Sequence, residues 1–227
     1  PGVRVAAPAS AVGSRTMHPD DLRRAFFRHV GQTSLAPLGI VVERAQGATI
    51  WGADGREYLD LLSGIGVANL GHGHPEVIAA VQAQAERYLH VMVYGEAVEE
   101  PQVRLAQRLA ELAPDDLSTA FFCNSGTEAI EGAIKLARYH TRRPALIAFQ
   151  GSFHGRSYGA MSLTSSKAKQ HKHFGPLLPE VYHVPFANPY RSADPIGMSL
   201  DAIHDLFSRQ VDPTDVAGIF LEPIQGE

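Results

Sequence analysis

Three short segments of the sequence combine small, polar and charged residues in patterns that bind anions and flat aromatic molecules. The first is 123–129, where an apolar run gives way to a small polar turn and then to a helical pattern. A helix that begins there leaves backbone N–H groups unpaired at the positive end of its dipole, where a phosphate can be held. Gly126 permits close approach of the backbone, and Thr127 adds a hydroxyl. The structural alternative, which is compatible with the first, is a capping box with Ser125 as the N-cap and Glu128 reaching back to it.

The second segment, 151–156, places an aromatic ring, an imidazole and a guanidinium in a loop that contains two glycines. Phe153 could stack on a flat heteroaromatic ligand. Arg156 offers the planar fork that holds a carboxylate through two parallel hydrogen bonds. Taken alone, Phe153 is more often a core residue and Arg156 more often a surface residue.

The third segment, 221–227, ends an apolar run in Glu222, and Pro223 enforces an extended backbone after it. A carboxylate at the carboxyl end of a strand is a reasonable ligand contact, and a helix cap or a surface position is the alternative. In open α/β sheets, ligands bind at the carboxyl ends of parallel strands. We therefore expect all three segments to face one cleft.

The elements that must position these segments change character near residue 114. From 114 to 227, strands and helices alternate, which predicts an α/β fold with a mostly parallel sheet and flanking helices. The predicted strands are 119–123, 145–149 and 216–221, and the predicted helices are 127–139 and about 200–209. Upstream, 17–113 indicates a small α+β lobe. Its predicted elements are a helix at 18–30, a hairpin that turns at Asp54-Gly55, and helices from Pro75 and at 102–112. Residues 1–16, rich in Pro, Ala, Ser and Gly, are predicted to be a disordered extension or a cloning remnant.

Composition argues against several functional classes. The 227 residues carry a formal net charge of −4, without the basic field that nucleic-acid binding requires. No apolar run approaches the roughly 20 residues of a membrane span. The single cysteine, Cys123, favours a reducing compartment, so we expect a cytoplasmic protein. His72 and His74 lack a third ligand at a known spacing, so the sequence does not predict a metal site there.

Five motifs, taken in order, resemble the class III (omega-amino-acid) aminotransferases, which use pyridoxal 5′-phosphate (PLP) on fold type I. The motifs are 54–60, 71–75, 124–129, 153–156 and 222–227, within a match that runs from about Leu38 to Glu227. Several motifs in order are far more specific than any one of them. The resemblance implies that 114–227 is the first part of the PLP-binding large domain, incomplete, and that part of the small domain precedes it.

The resemblance also assigns residues to the cofactor. It implies that Ser125, Gly126 and Thr127 hold the PLP phosphate. Phe153 would stack on the pyridine ring and His154 would lie beside it. Glu222 would lie near the phenolic edge of the ring.

On the substrate side, Arg156 resembles the arginine that takes a carboxylate. Glu227 resembles the switch glutamate that covers a second arginine until a dicarboxylate arrives. Ile65 lies where 4-aminobutyrate enzymes carry isoleucine and ornithine enzymes carry tyrosine, which favours 4-aminobutyrate-like donors. Val67 and Tyr94 are weaker candidates for the same pocket.

The family's chemistry depends on a lysine that forms a Schiff base with PLP and on an aspartate that pairs with the pyridine nitrogen. Both are expected downstream of Glu227, so no catalytic residue is assigned, and the isolated chain is expected to be inactive. The lysines present are Lys135, Lys167, Lys169 and Lys172. The resemblance further implies a homodimer with its active sites at the interface.

Three functions stay open. The first is transfer of an amino group from an omega-amino acid donor to 2-oxoglutarate, a 2-oxo acid acceptor, by the complete parent protein. The second is racemisation or epimerisation of amino acids on the same scaffold, since 188–191 is similar to that group as well. The third is a non-catalytic assembly module, or a fragment without function.

Overall fold

A computed structural model describes residues 17–92, 95–114 and 116–227. The predictions for residues 1–16 and for Tyr94 lie outside this range. Contacts divide the chain into two compact units, one that ends at Val98 and one that begins at Glu99. The domain boundary predicted near residue 114 stays a prediction, and the helix before it groups with the second unit.

The first unit contains an antiparallel sheet of three consecutive strands. The predicted hairpin at Asp54-Gly55 is confirmed, and Gly55 takes a φ of +79° that suits glycine. The helices at Pro19–His29 and Pro75–Arg87 each begin with a proline at their first turn, where the missing N–H removes no hydrogen bond. A short helical turn at Ser63–Gly66 has left-handed φ values. The elements are α1 (Pro19–His29), β1 (Val42–Gln46), β2 (Thr49–Gly52), β3 (Glu57–Leu59) and α2 (Pro75–Arg87).

The second unit contains a parallel sheet in which β4 (Ala145–Phe149) lies between β5 (Val181–Val184) and β6 (Val216–Phe220). Its elements are α3 (Glu100–Leu112), α4 (Gly126–Thr141), β4 (Ala145–Phe149), α5 (Tyr158–Leu163), β5 (Val181–Val184), α6 (Pro195–Arg209) and β6 (Val216–Phe220). The predicted α/β class, with a parallel sheet and flanking helices, is confirmed.

Strand β4 forms the centre of the core of this unit. Its four residues from Ala145 to Ala148 are fully buried, and successive side chains point to opposite faces of the sheet. Ala145 and Ile147 pack with Leu206 of α6 on one face. Leu146 and Ala148 pack with Ile134 of α4 and Leu163 of α5 on the other. A continuous apolar run is the pattern expected of a strand that is covered on both faces.

The predicted strand 119–123 is wrong, because residues 117–123 have no regular secondary structure. A strand needs a ladder partner, and both sides of β4 are already taken by β5 and β6. Phe121 in this segment is 81% exposed. Helix α6 also begins earlier than expected, because Asp194 caps it by accepting a hydrogen bond from the N–H of Gly197 at 2.9 Å.

None of the helices in the described ranges is long and apolar enough to cross a membrane.

Candidate functional site

Helix α4 begins directly after the small polar turn that the sequence predicts as a phosphate site. Ser125 is the N-cap, and its Oγ accepts a hydrogen bond from the N–H of Glu128 at 3.3 Å. The Glu128 carboxylate accepts from the N–H of Asn124 at 2.7 Å, so it reaches back one residue further than a capping box requires. The N–H groups of Gly126 and Thr127 have no acceptor among the described residues. Two donors are therefore free at the positive end of the helix.

Thr127 joins this helix start to the loop after β4. Its Oγ1 lies 2.7 Å from Ser157 Oγ and accepts a hydrogen bond from the Ser157 N–H at 3.1 Å. Gly155 has a φ of +138°, and a Cβ built there would lie 2.7 Å from the Cβ of Thr127. Only glycine fits this conformation and this close approach.

Glu131, one turn along α4 from Thr127, is half-buried against the same loop. Its Oε1 accepts hydrogen bonds from Ser157 Oγ at 2.5 Å, from the N–H of Gly159 at 2.8 Å and from the N–H of Ala160 at 3.1 Å. The carboxylate therefore caps the start of α5. Glu131 is not among the site residues that the sequence predicts. The only signal for it was its position four residues after Thr127, on the same face of the helix.

Glu222 joins the end of β6 to the loop after β4. Its Oε2 accepts a hydrogen bond from the Phe153 N–H at 3.1 Å, and its Oε1 accepts from the Gly226 N–H at 3.4 Å. A second link runs from Gln225 Nε2 to the carbonyl of Gln150 at 2.9 Å. Together with the Thr127 contacts, these bonds bring the three predicted segments to one place within the second unit.

His154 is 8% exposed, and its Nε2 has no hydrogen-bond partner in the part of the chain that the structure describes. Its ring lies edge-on to Phe220, with 6.5 Å between the centroids. Burial lowers the pKa of His154, although the neighbouring Glu222 carboxylate acts in the opposite direction. A buried polar atom without a partner is a group that a ligand can satisfy.

Two further imidazoles hold the other end of α5. Nε2 of His171 lies 3.0 Å from the carbonyl of Met161, and Nε2 of His183 lies 3.1 Å from that of Leu163. Each contact requires the imidazole to donate, because a carbonyl only accepts. Burial lowers the pKa of His183. Helix α5 is thus held at both ends, and it supports the loop that carries Phe153 and His154.

The predicted substrate residues have different surroundings. Arg156 is exposed and has no ion-pair partner among the described residues. Glu227 forms an ion pair with Lys167. Ile65 and Val67 belong to the first unit and are 92% and 83% exposed.

Ile65 lies in a turn in which Ser63, Gly64, Ile65 and Gly66 all have positive φ, between +48° and +79°. Asp60 holds this turn, because its Oδ1 accepts from the N–H groups of Leu62 and Ser63 at 2.9 and 3.0 Å. Its Oδ2 lies 2.7 Å from His72 Nε2. The hydrogen bond with His72 lowers the pKa of Asp60.

No group of three or more His, Cys, Asp or Glu side chains within the described ranges could hold a metal ion.

Comparison with known proteins identifies the family. Residues 30–227 match the family model described as aminotransferase class-III. The chain is 43% identical to an acetylornithine aminotransferase of Methanopyrus kandleri, over 88% of this chain and 46% of that protein. It is 41% identical to a probable 4-aminobutyrate aminotransferase of Bacillus subtilis, over 87% of this chain and 45% of that protein. An alanine/serine racemase of Pyrococcus horikoshii is 36% identical, over 83% of this chain and 42% of that protein.

Among solved structures, an (S)-enantioselective omega-transaminase of Thermomicrobium roseum superposes with a TM-score of 0.84 at 27% identity, covering 93% of this chain and 51% of that one. The chain spans about half the length of the curated relatives it matches. Its fold is therefore part of PLP fold type I. The chain belongs to the class III aminotransferases, a family that depends on pyridoxal 5′-phosphate.

Proposed function

We propose that the complete protein transfers the amino group of an omega-amino acid similar to 4-aminobutyrate to 2-oxoglutarate. The observation that carries this proposal is the junction at the start of α4. Two free N–H groups there adjoin a loop that Thr127 holds on one side and Glu222 holds on the other. The junction combines an anion site with a loop that carries an aromatic residue, and a phosphorylated pyridine requires both.

The residues of the junction fit PLP. The N–H groups of Gly126 and Thr127, with Ser125 as the cap, would hold the phosphate. The Phe153 ring would stack on the pyridine, and the unpartnered Nε2 of His154 is a group that the cofactor or its bound water would satisfy. When bound, PLP supplies an electron sink for the breaking of a C–H bond of the amino donor.

Within this proposal, Glu222 lies near the phenolic edge of the ring, and it fixes the Phe153 backbone by accepting a hydrogen bond from its N–H. Arg156 holds a substrate carboxylate with its planar guanidinium, a role that its exposed and unpaired side chain allows. Glu227, which pairs with Lys167 here, is proposed as the switch glutamate that covers a second arginine until a dicarboxylate arrives. Ile65, Val67 and Tyr94 are proposed to bind the amino donor.

The proton-transferring lysine is proposed to be none of the four lysines in the sequence. Lys135 is exposed on α4, and Lys167 is paired with Glu227. On this basis the 227-residue chain alone would not turn over. We also propose a cytoplasmic homodimer with its active sites at the interface. The family resemblance supports the dimer, and the single cysteine supports the compartment.

The direct test is a half-reaction of the full-length gene product loaded with PLP. With 4-aminobutyrate alone, we expect one aldehyde product per active site and then no further turnover. Adding 2-oxoglutarate should restore turnover and form glutamate in equal amount. Absence of product with 4-aminobutyrate, acetylornithine and ornithine alike would overturn the proposal.

Racemisation is the second candidate, and similarity to the alanine/serine racemase supports it. The segment 188–191, which is similar to such enzymes, forms an exposed turn in which Asn188 Oδ1 accepts from the Tyr190 N–H at 3.0 Å. A racemase would remove the optical rotation of L-alanine without forming a keto acid. Failure of both reactions in a PLP-loaded, full-length protein would favour the non-catalytic module.

A further inference from the structure

The carboxylate of Glu131 fixes the direction of a chain of hydrogen bonds that ends at the phosphate site. Oε1 of Glu131 already accepts from two backbone N–H groups, those of Gly159 and Ala160. In the third contact, at 2.5 Å, the Ser157 hydroxyl is the donor, because a carboxylate oxygen only accepts. This uses the only hydroxyl proton that Ser157 has.

The direction of the next contact follows. Because the Ser157 proton points to Glu131, the 2.7 Å contact between Thr127 Oγ1 and Ser157 Oγ requires Thr127 to donate. Thr127 Oγ1 accepts in turn from the Ser157 N–H at 3.1 Å. The Thr127 hydroxyl proton is therefore donated to the loop and not to a ligand. The groups left to meet an anion are the backbone N–H groups of Gly126 and Thr127.

We infer that Glu131 is a positioning residue that sets the geometry of the phosphate site through Ser157 and Thr127. This inference rests on the proposed function of the junction as a PLP site. The Thr127 side chain acts as a strut between α4 and the loop, and the backbone of α4 binds the phosphate. The packing agrees with this, since a Cβ built on Gly159 would lie 2.9 Å from the carboxylate carbon of Glu131. The backbone at this position therefore sits directly on the carboxylate.

The test compares the affinity of the full-length protein for PLP with its affinity for pyridoxal, which lacks the phosphate. The variants are Glu131→Ala, Glu131→Gln, Ser157→Ala and the double variant Glu131→Ala/Ser157→Ala. The control is Glu111→Ala, because Glu111 is an exposed glutamate on α3 whose carboxylate contacts Arg108 alone among the described residues. Melting temperatures are measured in parallel.

We expect Glu131→Ala to weaken PLP binding about tenfold, because the loop loses the carboxylate that holds Ser157 and, through Ser157, the position of Thr127. Pyridoxal affinity should change less than about twofold by the same reasoning. Glu131→Gln should retain most of the PLP affinity, because its amide oxygen still accepts. The double variant should be no weaker than Glu131→Ala, because both residues act through one chain of hydrogen bonds.

Two results would overturn the inference while leaving the PLP site intact. One is a wild-type PLP affinity in both Glu131→Ala and Ser157→Ala. The other is an equal loss of affinity for PLP and pyridoxal, since that would indicate a general effect on the fold. If Glu131→Ala does not fold, the PLP affinity of Ser157→Ala tests the inference instead. This variant leaves in place the hydrogen bonds that Glu131 accepts from the N–H groups of Gly159 and Ala160. If the wild-type protein binds neither compound, the proposed function fails together with the inference.

Discussion

The Glu222 carboxylate accepts a hydrogen bond from the backbone N–H of Phe153 at 3.1 Å, although 69 positions separate the two residues in the chain. The bond exists because β4 and β6 are parallel neighbours, so their carboxyl ends lie side by side. Glu222 therefore has a structural role in this unit besides the ligand contact proposed for it. It holds the loop that presents the Phe153 ring.

Removing the Glu222 carboxylate should destabilise the second unit. In Glu222→Ala the partly buried Phe153 N–H loses its acceptor, so we expect a loss of about 1–3 kcal/mol in the free energy of unfolding. Glu222→Gln keeps an acceptor and should lose less than about 1 kcal/mol. Urea unfolding followed by far-UV circular dichroism measures both. Equal stability of the alanine variant and the wild type would show that the bond has no net effect.

Gly155→Ala should disrupt the junction between the loop and α4. The φ of +138° excludes an ordinary L-residue, and the new Cβ would collide with the Cβ of Thr127. We expect a loss of about 2–4 kcal/mol, the sum of an overpacking cost and a backbone strain cost. Gly31→Ala is the matched control, because its φ is not positive and no atom lies within 4 Å of a Cβ built there. The prediction is wrong if both variants melt at the same temperature.

How much could be predicted from the sequence depends on how local the determining interactions are. Strand β4 was predicted with its observed bounds, because a short apolar run between polar residues is a local signal. Helix α4 was predicted within two residues of its observed ends for the same reason. The strand expected at 119–123 failed, because strand formation depends on a partner that the local sequence does not specify. The four-residue strand β5 was missed, because its pattern is too short to stand out.

The residues of the candidate site likewise fall into those that local sequence predicts and those that it does not. The segments around Thr127, Phe153 and Glu222 were identifiable because each combines unusual residue types in a short stretch. Glu131 was not, because its hydrogen-bond partners lie 26 to 29 residues away and a glutamate within a helix is usually a surface residue. Its role depends on a contact that only the packing of α4 against α5 creates.

Burial of His154 should make stability depend on pH. Because its pKa is lower in the folded state than the usual value near 6.5, the unfolded chain binds more protons below that pH. The contribution of His154 to the free energy of unfolding should therefore be fully present above about pH 6.5. It should be lost as the pH decreases from about 6.5 towards the folded-state pKa.

The variant His154→Phe tests this, because it removes the proton-binding group and keeps a ring of similar size. The difference in unfolding free energy between about pH 7.5 and about pH 5 should be smaller in this variant than in the wild type. His183 has a lowered pKa too, but it is present in both proteins and cancels in the comparison. The same pH dependence in both would contradict the prediction.

The left-handed turn at Ile65 should be strained, and relieving the strain should stabilise the first unit. A β-branched residue at a φ of +60° costs about 1–2 kcal/mol, and a side chain that is 92% exposed recovers little of this by burial. In Ile65→Gly the strain disappears and the entropic cost of glycine is about 0.5–1 kcal/mol, so we expect a net gain of about 0.5–1 kcal/mol. Trp51, the single tryptophan, lies in β2 of the same unit, so its fluorescence in urea reports the transition.

Val67→Gly is the matched control for the Ile65 prediction. Val67 is also exposed and lies two residues further on, but its φ of −81° is ordinary for an L-residue. Glycine there should cost about 0.5–1 kcal/mol in place of a gain. Opposite signs in the two variants would show that the turn holds Ile65 against its conformational preference. A loss in both would mean that the Ile65 side chain stabilises the turn, and the strain argument would then fail.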